Sequence, residues 1–193
     1  MKRWMLGFLL VSSPSLAAHY EVDQVHSRLG FVAKHLAVSR VTGNFKDFTG
    51  SIDFIPEDLK KSQVDFVVQA ASINTDFPKR DAHLRSEDFL SADKYPTLTF
   101  KSTAMRRASQ DRYAVTGELK IRGVKKTISL EVQYTGRAQF GQDWRAGFHA
   151  SFKINRKDFG MKFHKVLDTG GMLVSEEVDI QLDIEAIEKS RNS

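Results

Sequence analysis

The stretch RYAVTGELKIRGVKKTISLEVQYT, residues 112–135, decides the fold. Along Arg112–Ile121, residues Tyr113, Val115, Gly117, Leu119 and Ile121 fall on one side. Arg112, Ala114, Thr116, Glu118 and Lys120 fall on the other. Along residues 127–135, Ile128, Leu130, Val132 and Tyr134 alternate with Thr127, Ser129, Glu131 and Gln133. A period of two belongs to a strand with one dry face and one wet face. Arg122-Gly123 stands between the two runs and marks a tight hairpin.

The same alternation recurs on both sides. Residues 144–154 set Trp144, Ala146, Phe148, Ala150, Phe152 and Ile154 against Arg145, Gly147, His149, Ser151 and Lys153. Further on, Val178, Ile180, Leu182, Ile184 and Ala186 alternate with Asp179, Gln181, Asp183 and Glu185. Upstream, Arg28–His35 and residues 41–45, 51–55, 64–72 and 97–104 fit the template less cleanly. Their dry sides carry Leu29, Phe31, Ala33 and His35, then Val64, Phe66, Val68, Ala70 and Ser72, then Leu98, Phe100, Ser102 and Ala104. One segment breaks the period: PKRDAHLRSEDFLSADK, residues 78–94, has Leu84, Phe89 and Leu90 at helical spacing. It reads as a short helix or helical loop between two strands. About eight long one-sided strands must hide their dry faces, and a closed antiparallel barrel does so while removing every sheet edge.

The first residues read as an address. Lys2 and Arg3 precede the apolar run WMLGFLLV, Ser12, Ser13 and Pro14 break it, and Ser15-Leu16-Ala17 offers small residues for cleavage. This is the three-part pattern of a secretory signal over residues 1–17, with cleavage after Ala18 as the alternative. The run is far short of the roughly 20 residues that span a bilayer. The expectation is an exported, periplasmic protein with one domain over residues 18–193.

Composition narrows the chemistry. The 193 residues contain no cysteine, which excludes disulfide scaffolds, thiolate metal sites, thiol nucleophiles and a lipidated cysteine. Lys+Arg number 29 against 24 Asp+Glu, a formal net charge of +5 that falls to +3 once Lys2 and Arg3 are removed. The remaining basic pairs, such as Arg106-Arg107, Lys125-Lys126 and Arg156-Lys157, are scattered, so nucleic acid is not expected as a partner. Six histidines show no local metal spacing, and no nucleophile elbow or phosphate loop is present. Asp81, Glu87 and Asp88 beside Arg80 and Arg85 read as a helix-capping and salt-bridge cluster. The 14 phenylalanines outnumber 2 tryptophans and 4 tyrosines. On the dry faces they alternate with Ala, Ser and Gly. That pattern fits interdigitated packing and fits space left for a guest, and alternation alone does not choose.

The chain resembles the YceI-like proteins, exported bacterial barrels described as polyisoprenoid-binding. The resemblance runs from about Tyr20 to Ile187. It is carried first by Asp23, His26-Ser27, Phe31, His35-Leu36, Gly43, Phe45, Phe48 and Gly50. The most specific block is RDAHLRSEDFLSADKYPTLTFKST, residues 80–103, followed by Gly117, Leu119, Gly123-Val124, Gly147-Phe148, Arg156 and Phe159-Gly160. Residues 161–174 are less typical, so the barrel mouth differs there. The resemblance implies a mainly β fold: an eight-stranded antiparallel lipocalin-like barrel with one short helical segment and a long apolar tunnel. It implies a non-catalytic carrier of a polyisoprenoid, a ubiquinone tail or a fatty-acid-like lipid, with no metal and no cofactor beyond such a ligand. Lipid contacts are assigned to the large inward residues Phe31, His35, Phe45, Phe66, Phe100, Tyr113, Phe148 and Phe152, and the helical block is assigned as a lid or plug. An enzyme acting on a quinone or lipid in the same tunnel, and a stress-related structural module with a filled barrel, are the alternatives. Transient membrane contact and a homodimer are left open.

Overall fold

The computed structural model describes residues 18–166 and 172–189. The expected signal over residues 1–17 lies outside them. The chain runs β1 (Ala18–Val22), β2 (Arg28–His35), β3 (Ser39–Phe45), β4 (Phe48–Phe54), β5 (Gln63–Gln69), β6 (Ile73–Asn74), α1 (Pro78–Arg85), β7 (Thr97–Arg107), β8 (Arg112–Ile121), β9 (Val124–Phe140), β10 (Asp143–Asn155) and β11 (Val174–Lys189).

The eleven segments make a closed barrel of eight staves. The ring order is β1-β4-β5-β7-β8-β9-β10-β11, and β1 closes it by pairing with β11. The other three segments prolong their neighbours. β1 and β2 pair with successive parts of β11. β3 and β4 pair with β2 and β1 in turn, and β6 extends β5 alongside β3. Three neighbouring staves are therefore each broken once, at residues 23–27, at residues 46–47 and at the Ala70–Ser72 turn. The breaks are stitched to one another. Gln24 donates to the Lys46 carbonyl, Lys46 N to the Ser72 carbonyl, and Gln69 N to the Asp47 carbonyl. A single crease crosses this side of the wall. The expected strand over residues 64–72 is corrected here: it ends at Gln69, because the chain turns at the crease.

Sequence alternation placed the uninterrupted staves well. β2 and β8 have the expected bounds, and residues 144–154 lie inside β10. The β8–β9 hairpin turns at Arg122 and Gly123, both left-handed, with φ of 52° and 77°. This is the geometry of a two-residue turn that follows the strand twist. Arg122 accepts the strain because its guanidinium donates to the Glu87 and Phe89 carbonyls. One turn thus ties the wall to the helical block.

Two bulges alter faces. In β7 the register slips between Ser102 and Ala104. Beyond it Met105 turns inward opposite Val115, and Ala104, expected on the dry face, is exposed. In β9 the slip opposite Gly147 and Phe148 leaves Thr135 as the extra residue. Trp144 keeps dry-face parity yet is partly exposed, because the β9–β10 hairpin has left the wall's buried zone there.

Two apolar clusters fill the ends. One gathers Tyr20, Phe54, Tyr113 and Phe148 with Ala146, Ile184 and Ala186. Its rings meet edge to face: Phe54 lies 5.1 Å from Tyr113 and 5.9 Å from Phe148, centroid to centroid. The other gathers Phe89, Leu90, Ala92, Phe159 and Met161 against Ala70, Ile73 and Ile121. The helical block over residues 78–94 is helical only to Arg85. Its remainder is a compact turn closed by Leu90 N to Leu84 O, Ser91 N to Ser86 O and Ala92 N to Arg85 O. This turn, not the helix, delivers Phe89 and Leu90 into the barrel end.

Candidate functional site

Between the two clusters lies a cavity of about 170 Å³. By the same measure one water molecule needs about 10–15 Å³, so the space holds a chain of atoms rather than a lone solvent molecule. The wall is built from alternate residues of the staves. Six of the eight residues expected to face a ligand line it: Phe45, Phe66, Phe100, Tyr113, Phe148 and Phe152. Phe54, Ile52, Met105 and Leu182, outside the assigned lipid contacts, also line it. Period-two parity puts Leu182 on the dry face and reaches Ile52 and Phe54 as well. Met105 was hidden by the β7 bulge.

The other two expected residues do not line the cavity. Phe31 has the right parity, but its stave has already passed the crease. Its ring packs 6.1 Å from that of Phe45 and against the Phe89 cluster. His35 lies farther out, at the last β2 position, opposite Ser39 and Val174. Parity sets a face, whereas the length of the cavity along the stave is set by what the plug fills.

Among the described residues, the lining has no carboxylate, lysine or arginine. Its polar members are Thr99, Tyr113 and His149. His149 Nδ1 is engaged by Asp183 Oδ1 at 2.7 Å, its direct cross-strand partner. Carbon dominates the surface that a guest would touch. Such a surface favours hydrocarbon by exclusion of water. Large and small residues do interdigitate in places. A Cβ on Gly117 would stand 2.5 Å from Phe100 Cζ, so the glycine is there to admit that ring. Packing and open space thus coexist on the same dry face.

Charge sits outside the cavity, at the crease and the plug. At the crease Arg145 Nη1 donates to Asp23 Oδ2 at 2.8 Å and to the Glu185 carboxylate. His26 Nδ1 lies 2.8 Å from Asp23 Oδ2. The His26 and Arg145 hydrogen bonds, with the Val25 N–H, pull the Asp23 pKa down to about 2. Asp23, His26 and Glu185 bring three ligand-type atoms within 4.8 Å of one another, but Arg145 already supplies the positive charge between the carboxylates. At the plug Arg156 is 2 % exposed. Its Nε donates to the Ser175 carbonyl at 2.9 Å, and its guanidinium lies 5.7 Å from the Phe89 ring centre. Burial holds its pKa below the usual arginine range. The cluster of Asp81, Glu87, Asp88, Arg80 and Arg85 is distributed as structural contacts. Asp81 is buried and accepts from Thr75 N and Oγ1, Arg80 donates to Thr75, and His83 meets Asp88.

Comparisons with known proteins agree with this architecture. The sequence pattern of the YceI-like domain matches residues 20–186. A UPF0312 protein of Photorhabdus laumondii is 37 % identical, over 97 % of this chain and 98 % of its own. Protein YceI of Escherichia coli O157:H7 is 36 % identical, over 98 % and 100 %. Among solved structures, Burkholderia cenocepacia BcnA superposes with a TM-score of 0.74 at 27 % identity, covering 85 % of this chain and 98 % of its own. A polyisoprenoid binding domain from Saccharophagus degradans shares the fold, with a TM-score of 0.66 at 16 % identity, covering 90 % of this chain and 99 % of its own.

Proposed function

The chain belongs to the YceI-like family, and on that premise we propose that it is a non-catalytic carrier holding the tail of a long-chain isoprenoid or related amphiphilic lipid inside the barrel. The observation that carries this reading is the wall of carbon around the cavity, free of carboxylate, lysine and arginine side chains among the described residues. A hydrocarbon tail leaving a membrane needs an equally apolar host. Each Å² of tail kept from water contributes about 25 cal/mol, so a prenyl chain is held without covalent chemistry. The name of the Saccharophagus neighbour supports the same ligand class. Drug-sized sites span roughly 300–1,000 Å³, and this cavity is smaller. A long tail must therefore push aside an end cluster. The signal-like pattern of residues 1–17 supports a periplasmic location for the carrier.

Native mass spectrometry of protein purified from its own envelope tests the proposal. The expected result is an organic-extractable lipid of several hundred daltons or more, released on denaturation. Protein that is always ligand-free, and takes up no prenyl lipid offered in detergent, would overturn it.

A further inference from the structure

The tip of the β2–β3 hairpin carries three features that lower stability. First, the turn is made by Leu36 and Ala37 in the left-handed conformation, with φ of 56° and 59°. Glycine or asparagine suits such positions, and aliphatic side chains are strained there. Second, Val38 at the apex is 83 % exposed. Third, Lys34 and Arg40 stand directly opposite each other across the two strands. Like charges so placed repel. Among the described residues neither is neutralised: the nearby Glu176 and Glu177 are engaged by Lys157 and Lys153. The apex is therefore apolar, and a positive ring sits just behind it.

The neighbouring segment repeats the pattern. Leu36 N donates to the Leu173 carbonyl at 3.0 Å, and Leu173 N to the Lys165 carbonyl at 2.9 Å. This brings MKFHKV, residues 161–166, beside the tip. Lys162, His164 and Lys165 are exposed there, and Val166 is 51 % exposed. Neither residues 34–40 nor residues 161–166 contain an acidic side chain.

We propose that this end of the barrel, built from the β2–β3 tip and residues 161–166, docks on the surface of an anionic lipid bilayer. The layering fits that occupant. Ala37 and Val38, exposed at the turn, project first, and the Val38 side chain suits the acyl boundary. Lys34 and Arg40 follow one pair behind and suit the headgroup level. A second copy of the chain would bring the same positive charge to the contact and be repelled. The opposite end also exposes an aromatic residue, Phe140 at 76 %. There Asp143 pairs with Phe140, and Arg137 is taken by Glu188 and the Trp144 ring, so no free positive ring surrounds it among the described residues. Docking stands independently of what the cavity holds.

The test is co-sedimentation of the chain over residues 18–193 with vesicles of phosphatidylglycerol and phosphatidylcholine, and with vesicles of phosphatidylcholine alone. The protein is expected to sediment with the anionic vesicles only, and less as salt is raised. Lys34→Glu with Arg40→Glu should weaken binding by about tenfold or more. Val38→Ser should weaken it at both low and high salt, with the melting temperature of the parent. Phe140→Ser should leave it unchanged. Failure to bind anionic vesicles, equal binding to neutral ones, or loss on Phe140→Ser alone would each overturn the proposal. So would a solution dimer that the Lys34→Glu, Arg40→Glu protein dissolves. Lipid uptake from detergent by a protein that does not sediment would sink docking while leaving the carrier reading intact. The reverse result would sink only the carrier reading.

Discussion

Phe66 rests over Gly50 on the adjacent strand: the two are paired across β4 and β5, and a Cβ on Gly50 would stand 2.8 Å from Phe66 Cε1. Phe66 also lines the cavity, so the glycine fixes how far that ring projects into the space. Val22 Cγ2 closes the other side at 2.9 Å. In Gly50→Ala the Phe66 ring must move inward. Overpacking of this kind costs about 1–3 kcal/mol. The expected outcome is a lower melting temperature together with a smaller lipid-bound fraction in native mass spectra. Unchanged lipid loading would show that the Phe66 ring does not bound the ligand.

Phe148 is the meeting point of the aromatic end cluster, with Tyr20, Phe54 and Tyr134 around it. Phe148→Asp places a charge inside a buried aromatic cluster. The protein should lose either lipid uptake or its folded state. Phe148→Ala keeps the site neutral, costs about 3–5 kcal/mol and opens the cavity. If it still folds, a bulkier lipid should be admitted. Wild-type binding and stability in the Asp variant would refute the inward assignment of β10.

Asp23 couples the crease to pH. Its folded pKa of about 2 lies below the ordinary value of 3.8, chiefly through the His26 hydrogen bond and then Arg145. A depressed carboxylate stabilises the fold fully above its unfolded pKa, and that contribution is lost as pH falls through the folded one. Asp23→Asn should therefore lower the melting temperature at neutral pH. The gap from the parent should close between about pH 4 and pH 2. A gap that stays constant across that range would show that the Asp23 charge is not what holds the crease.

Asp81 fastens the plug. It is buried and accepts from both the amide and the hydroxyl of Thr75. Asp81→Ala leaves that buried amide without a partner, a loss of about 1–3 kcal/mol. Amide exchange should accelerate over residues 73–94, while the β8–β9 hairpin stays protected. Uniform acceleration across the barrel would mean that the plug does not open as a separate unit.

How much of this was legible in the sequence depended on whether a side chain's setting was local. β8 and the Arg122-Gly123 turn were readable because each residue alternates against a uniform dry face, and the two left-handed positions mark the turn. The barrel itself followed from too many one-sided strands. The crease was readable only in part: the runs over residues 41–45 and 51–55 stand apart in the sequence, but only contacts with Gln24, Gln69 and Ser72 line the breaks up across neighbouring staves. Met105 shows the same limit on a smaller scale. One extra residue at the bulge exchanges its face with that of Ala104, and nothing in the flanking residue types announces it. Phe31 and His35 were placed on the correct side of a stave and at the wrong height, since height depends on residues 89–92 arriving from elsewhere in the chain.

The pairing of β1 with both β4 and β11 joins positions at opposite ends of the described sequence. Every stave from β7 to β10 can find its neighbour in order, hairpin by hairpin, with short loops to close, and β11 then pairs with β10 after residues 156–173. β1 cannot. One of its edges stays bare until the final strand has been made and delivered, so closure of the wall is a late event whatever the order of the rest. A chain cut short before β11 would present open edges along the stave of β1 and β2 and along β10, each a template for a foreign strand. The ring that shelters the interior is thus also a check that β11 has arrived.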